Sequence, residues 1–235
     1  MNATTPRHSL LSSVWNGVLD IVFPPQCVSC RKWGSFICEA CEQEMQPANG
    51  ERCGVCWQPS LSFCEACSEG APTFEAARSA YAFEGPARDL VHALKYRGVA
   101  AVAPIMADAM TGRLADWEID VDGIVAVPMA GTRQRRRGYN QAEMLAREIS
   151  RATAIPLVEG IIRRRAGESQ VDQPGKQARW RNAARAYEAR RKRSPRSVLL
   201  VDDAMTTGAT LDACARVLRA VGAQRIYGLT FARES

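Results

Sequence analysis

The chain has 235 residues, 46% of them hydrophobic and 24% charged, with a formal charge of +6. That length holds one full α/β domain plus a small accessory module, and the composition is that of an ordinary globular protein, not a disordered or fibrous one. There is no apolar run of about 18 residues, which excludes a membrane-spanning helix. The charge, however, is unevenly spread. Residues 1–130 carry 9 Lys or Arg against 15 Asp or Glu, a net of −6, whereas residues 131–197 carry 18 against 6, a net of +12. A basic middle on an acidic frame suits a face that binds a polyanion, although a solvated arginine-rich surface has the same composition.

In chain order, residues 1–25 place Leu10, Leu11, Val14, Trp15, Val18, Leu19 and Val22 at helical spacing. This predicts a short amphipathic helix ended by Pro24 and Pro25, one that docks on the core or touches a membrane surface. A signal peptide is not expected, because the basic part is only Arg7 and His8 and no A-x-A site follows. Residues 26–70 then hold eight of the nine cysteines as four C-x-x-C pairs, in the repeat C-x2-C-x7-C-x2-C twice over. Each such turn aims two thiolates at one point, and two turns complete the tetrahedral sulfur shell that Zn2+ prefers. Cys27, Cys30, Cys38, Cys41, Cys53, Cys56, Cys64 and Cys67 are therefore expected to hold two structural zinc ions. Each half already has four ligands close in sequence, which favours sequential pairing over an interleaved arrangement. The segment is too short for a real core, so metal would supply most of its folding energy. The ninth cysteine, Cys214, reads as a small core residue.

From residue 71 to 235 the texture becomes α/β. Strands are expected at "SAYAFEG", "GIVAVPM", "RSVLLVDDA" and "RIYGLTFAR", and helices at "PARDLVHALKY", "VAPIMADAMTGRLA", "QAEMLAREISRATA" and "LDACARVLRAVGA". The stretches "AGTRQRRRGYN" and "ARRKRSPRS" read as loops. Strands alternating with helices mean a mostly parallel sheet flanked by helices, with ligands at the C-terminal strand ends. Lys95 is as readily a charge at a helix C-terminus as a ligand contact, and His92 reads as a packed or exposed histidine.

The stretch "VLLVDDAMTTGAT" concentrates the chemistry. It reads as a buried strand, a turn carrying Asp202 and Asp203, and a helix N-terminus rich in hydroxyls and small residues. Such an N-terminus suits a phosphate. The carboxylates would repel phosphate, so they should face sugar hydroxyls or Mg2+. This run resembles the phosphoribosyl pyrophosphate (PRPP) signature of type I phosphoribosyltransferases. The whole chain is similar to the ComF competence family, which joins a cysteine-rich zinc module to a phosphoribosyltransferase domain. The other pieces that carry the likeness are "HALKYRG", "RRRGYNQAEMLA", and Ser169, Gln170, Arg179, Asn182 and Tyr187.

The resemblance implies a phosphoribosyltransferase-type sheet preceded by a double zinc ribbon. It implies that Asp202 and Asp203 bind the ribose hydroxyls and that the run through Ala204, Met205, Thr206, Thr207, Gly208, Ala209 and Thr210 forms the PRPP loop. Arg133 and Arg137 would serve the pyrophosphate, with Mg2+ accompanying PRPP. In an active pentosyl transferase of this kind a nitrogen nucleophile attacks C1′ as pyrophosphate leaves; no catalytic residue is picked out. The same resemblance implies single-stranded DNA handling during natural transformation, in the cytoplasm beside uptake machinery at the inner membrane. Arg135, Arg136, Arg137 and Trp180, with Tyr139 and Tyr187 interleaved, are the candidates for tracking a strand and stacking its bases. The alternative is a nucleotide-salvage phosphoribosyltransferase that does not touch DNA.

Overall fold

The computed structural model describes residues 24–60, 64–68, 70–165 and 186–234. The expected N-terminal helix therefore lies almost wholly outside the described residues, as do Ser169, Gln170, Arg179, Trp180 and Asn182. The core is a four-stranded sheet of β1 (Ala76–Ala82), β2 (Gly123–Ala126), β5 (Ser197–Met205) and β6 (Arg225–Arg233), in the order β1-β6-β5-β2. Every pairing in it is parallel. The central strand β5 shows why. Val198, Leu199, Leu200 and Val201 are all fully buried, the continuous apolar run of a strand covered on both faces.

Strand alternation sorts these residues between the two covers. Leu199 and Val201 pack with Leu90, Met106 and Leu145, which belong to α3 (Gly85–Tyr96), α4 (Ala103–Ala115) and α6 (Gln141–Thr153). Val198 and Leu200 pack with Leu211, Cys214 and Leu218 of α7 (Ala209–Ala220). Cys214 is thus the small core residue expected.

A two-stranded antiparallel ribbon of β3 (Ile162–Arg164) and β4 (Tyr187–Ala189) lies on the same side as α7. The sequence had not suggested it. Two further expectations are corrected. The stretch "AGTRQRRRGYN" is not all loop: Gly131–Arg137 form a helix, α5. No residue of α5 is buried, so it lacks the apolar stripe that would announce it. Arginine is a good helix former, and Gly138, at φ 90°, closes the helix by donating its N–H to Gln134 O at 2.7 Å. Asp202 and Asp203 are also not in a turn, because β5 runs on to Met205.

The cysteine module, with its short helices α1 (Glu39–Gln43) and α2 (Glu65–Ser68), covers the β1 side of the sheet. Its connector pairs with the β1 edge, Ala48 N donating to Ala80 O and Ala82 N to Gln46 O, each at 2.9 Å. An open sheet edge is thereby closed. The first half is tied to α3 by Ser29 Oγ donating to Asp89 at 2.8 Å and Arg97 Nη2 donating to Val28 O at 2.9 Å. The second half is held by Ala77 N donating to Val55 O at 2.7 Å and Arg78 Nη1 to Gly54 O at 2.9 Å. Among the described residues no helix is long and apolar enough to cross a membrane.

Candidate phosphoribosyl site and metal centres

The eight cysteines form two closed sets, paired sequentially. In Cys27, Cys30, Cys38 and Cys41, and again in Cys53, Cys56, Cys64 and Cys67, all ligand atoms lie within 4.8 Å of one another. Sulfur separations are 3.5 Å for Cys30–Cys38, 3.5 Å for Cys56–Cys64 and 3.7 Å for Cys53–Cys67. A tetrahedron with Zn–S bonds near 2.3 Å has edges of about 3.8 Å, so each set is sized for one Zn2+. Within each set the turns lower one thiol while burial raises others, Cys41 in the first and Cys56 and Cys67 in the second. Burial raises the thiol of Cys27, yet the backbone N–H groups of Cys30, Cys38 and Ser29 outweigh it and bring it down to about 6. At Cys53 burial likewise raises, but the N–H groups of Cys56 and Val55 prevail, to about 7. Four sulfurs leave no open position, so these centres are structural.

The purified protein is accordingly expected to carry two zinc ions per chain, and Cys53→Ser to lose one of them while the sheet stays folded. Elemental analysis with free-thiol titration checks this; metal-free protein or disulfides would contradict it.

The other candidate site is a cleft of about 220 Å³ at the C-terminal ends of β2 and β5. Asp202 and Asp203 reach it from opposite faces of β5, because neighbouring residues of a strand point opposite ways. Asp203, on the α3 side, is buried and meets Lys95 Nζ at 3.0 Å. Burial pulls the Lys95 ammonium down, but the carboxylates of Asp203 and Asp202 more than restore it, so it stays charged. On the α7 side, burial and the charge of Asp203 push Asp202 up to about 7. Its Oδ1 accepts from the N–H of Asp203 at 2.9 Å.

The facing wall comes from α5 and the start of α6. Arg133 and Arg137 line the cleft, one helical turn apart, and burial lowers Arg137, whose guanidinium stands 5.7 Å from the Tyr96 ring centre. Asn140 caps α6 by accepting from Ala142 N at 3.2 Å and donates to Val127 O at 3.1 Å. This clips the α6 N-terminus to the end of β2. Three buried polar atoms on residues lining this cleft lack a partner: Asp203 Oδ2, Arg137 Nη1 and Gln141 Oε1.

Of the expected loop, Ala204 and Thr210 line the cleft with the two aspartates. Met205 is the buried end of β5, Thr206 is exposed, and Ala209 opens α7. Thr207 Oγ1 accepts from Ala209 N at 3.4 Å, and Gly208, at φ 79°, is the N-cap. Lys95, Tyr96, Gln141, Arg164 and Tyr187 also line it; the sequence points to Tyr187 through the family likeness and as a stacking candidate, and to Arg164 not at all.

The nucleic-acid candidates separate. Arg135 and Arg136 are exposed. Tyr139 is held by its hydroxyl, which donates to Leu94 O at 2.6 Å, and Tyr187 is buried. Tyr187 presents no free stacking face, which corrects the expectation for it, while Tyr139 is half-buried. Among the described residues the large aromatics that do stand open are Trp33, 63% exposed, and Tyr96, 71% exposed. His92 packs between Phe83 and Tyr96, with ring centres 5.8 and 5.5 Å away, as its plain structural reading anticipates.

Comparison with known proteins agrees with this geometry. Residues 88–234 match the phosphoribosyl transferase domain family. The chain belongs to that family. Residues 18–69 match the double zinc ribbon domain. Relatives of this chain include Competence protein F of Haemophilus influenzae, 27% identical over 227 residues, covering 88% of this chain and 96% of the relative. DNA utilization protein YhgH of Escherichia coli is 26% identical with the same coverage. Competence protein ComFC of Bacillus subtilis is 23% identical over 191 residues, 77% of each chain. The chain is thus similar over most of its length to proteins named for competence and DNA utilization. A glutamine PRPP amidotransferase structure from B. subtilis matches 55% of this chain and 26% of its own at 20% identity and a TM-score of 0.38, too loose a likeness to argue from.

Proposed function

We propose that this phosphoribosyl transferase domain binds PRPP, or another ribose 5-phosphate ligand, in the cleft of β2 and β5, and that the arginine-rich surface beside the cleft binds single-stranded DNA. The observation that carries the first half is the set of unsatisfied buried atoms: Asp203 Oδ2, Arg137 Nη1 and Gln141 Oε1 border one cleft. Buried polar groups without partners are rare and call for one. A sugar phosphate supplies what each lacks, a hydroxyl to donate to the two acceptors and an anionic oxygen to accept from arginine. Thr206 to Thr210, at the start of α7, take the 5′-phosphate on backbone N–H groups and hydroxyls at the positive end of the helix. Arg133 and Arg137 take the pyrophosphate from across the cleft. The carboxylates present an all-oxygen donor set that fits Mg2+. When bound there, that ion would neutralise pyrophosphate charge. The chain's own part is to position the ligand and hold counter-charges around it.

For the second half, the cleft continues past Asn140 and Arg164 into a wider cavity of about 550 Å³ rimmed by Arg163, Arg190 and Arg191. Six arginines of that basic segment, Arg133, Arg137, Arg163, Arg164, Arg190 and Arg191, thus lie around the ligand site. Two relatives carry names that speak of competence and DNA utilization, and on this reading the chain works on incoming DNA at the cytoplasmic side of the inner membrane. Single-strand affinity should fall with salt at roughly −0.7 in log K per log salt for each phosphate neutralised. Arg135→Ala with Arg136→Ala should reduce that slope by about 1.4 at most, whereas Tyr96→Ala should weaken binding with the slope unchanged, as stacking would.

Calorimetry with PRPP and Mg2+, and anisotropy with an oligonucleotide, on one purified sample tests both halves. PRPP binding alone would favour a salvage enzyme that does not handle DNA; binding of neither would overturn the proposal.

A further inference from the structure

Arg233 is the largest fully buried side chain among the described residues, 2% exposed, at the last position of β6. A guanidinium carries a permanent charge, and burying one without an opposite charge is strongly unfavourable. Yet no carboxylate pairs with it among the described residues. Nη2 has only a long 3.5 Å contact to Gln58 Oε1, and Nε and Nη1 have no partner. Its one contact belongs to the second cysteine set: Gln58 lies two residues beyond Cys56, and its carbonyl accepts from the N–H of Cys53 at 2.9 Å. Burial lowers the guanidinium and the charge of Arg52 adds to that, while the thiols of Cys56, Cys64 and Cys67, three of the four ligands of this set, act in the opposite sense. Four thiolates around one Zn2+ leave a net charge of about −2. Arg52 and Arg78 stand nearby, but both bond to backbone carbonyl oxygens, Arg52 to those of Asn49 and Trp57 and Arg78 to those of Gly54 and Ala77.

We infer that Arg233 is the buried counter-ion of the second zinc–sulfur centre, so that this metal holds the strand end from which the loop 206–210 departs. The connection is short. Arg233 is in register with Met205 of β5, Glu234 N donates to Met205 O at 2.9 Å, and Phe83 N donates to Arg233 O at 2.7 Å. Without the zinc the guanidinium loses its compensation and this corner must open to hydrate it. Among the described residues Arg233 is the one buried arginine, so the first set has no such partner there, which makes the two centres unequal.

The test is zinc release from the full-length, zinc-loaded protein to a chromophoric chelator. Cys30→Ser and Cys64→Ser assign the two release phases to the first and second sets. Arg233→Met should release the second zinc about 10- to 100-fold faster, as loss of an outer-shell partner does, and leave the first unchanged. Arg233→Lys should stay close to wild type. Unchanged release in Arg233→Met, or equally fast release in both variants, overturns the inference. A second measurement needs no change at Arg233. Amide exchange at residues 204–208 and 231–234 should speed up in Cys64→Ser but not in Cys30→Ser, and equal exchange in the two overturns it. Neither readout involves PRPP or DNA, so the inference can fail without the proposed function, and the reverse.

Discussion

Gly208→Val is expected to abolish binding of PRPP and of inorganic phosphate alike, with the sheet still folded. The reason is backbone conformation more than space. Gly208 sits at φ 79° as the N-cap of α7. A Cβ added there would lie 3.6 Å from Phe74 Cζ and 3.7 Å from Met205 Sδ, which is ordinary contact. The left-handed region costs an L-residue about 1–2 kcal/mol, and a β-branched side chain is a worse case still. Valine therefore relaxes φ toward negative values, and the peptides on either side turn their N–H groups away from the phosphate. Gly208→Ala, without the branch, should fall between wild type and valine. Calorimetry with both ligands reads this directly. Wild-type affinity in Gly208→Val would mean that the loop cradles no phosphate.

Asp202→Asn is expected to weaken PRPP roughly tenfold to a hundredfold, while inorganic phosphate binds as before or slightly better. A carboxylate accepting from a hydroxyl contributes about 1.5–3 kcal/mol, which sets that range. The two aspartates are not equivalent in this test. Asp203→Asn also strips Lys95 of its partner at 3.0 Å. That loss costs stability as well, though less than the roughly 3–5 kcal/mol of a fully buried pair, because the Lys95 side chain is 25% exposed.

Asp202 also carries a pH signature. Burial, then the charge of Asp203, raise it from the ordinary 3.8 to about 7. Between these values the folded protein holds a proton that the unfolded chain has released, so this group's contribution to stability is lost as pH rises toward 7. A ligand that needs the ionised carboxylate displaces that proton. PRPP affinity should therefore climb with pH, by up to about one log unit per pH unit, and level off above about 7. Titrations in buffers of different ionisation enthalpy would count the proton released. In Asp202→Asn the climb should disappear; if it persists, another group is responsible.

Much of this molecule is decided locally and can be read along the chain. Val198 to Val201 announce a doubly covered strand, and the periodicity of the helices after Gly85, Ala103, Gln141 and Ala209 comes from apolar faces a few residues apart. The zinc sets are legible because each gathers its ligands from one short stretch. The loop from Thr206 to Thr210 is legible because a phosphate can be held by consecutive amides.

Other features became visible only once distant segments met. The strands β3 and β4 are three residues each and pair across a long intervening segment, so neither carries enough periodicity to be read alone. Helix α5 has no apolar face to betray it. The alternation of β5 sends Asp203 to α3 and Asp202 toward α7, and only the packing of α3 on that face turns Lys95 from a helix-end charge into a partner of the site. Arg233 looks in sequence like one more surface arginine. It is buried because β6 ends against the second cysteine set, and the charge that makes its burial tolerable belongs to residues far away in the chain. Short-range patterns specify which elements form; the charges they bury are matched only where those elements pack, since an ion pair depends on distance in space and not on separation along the chain.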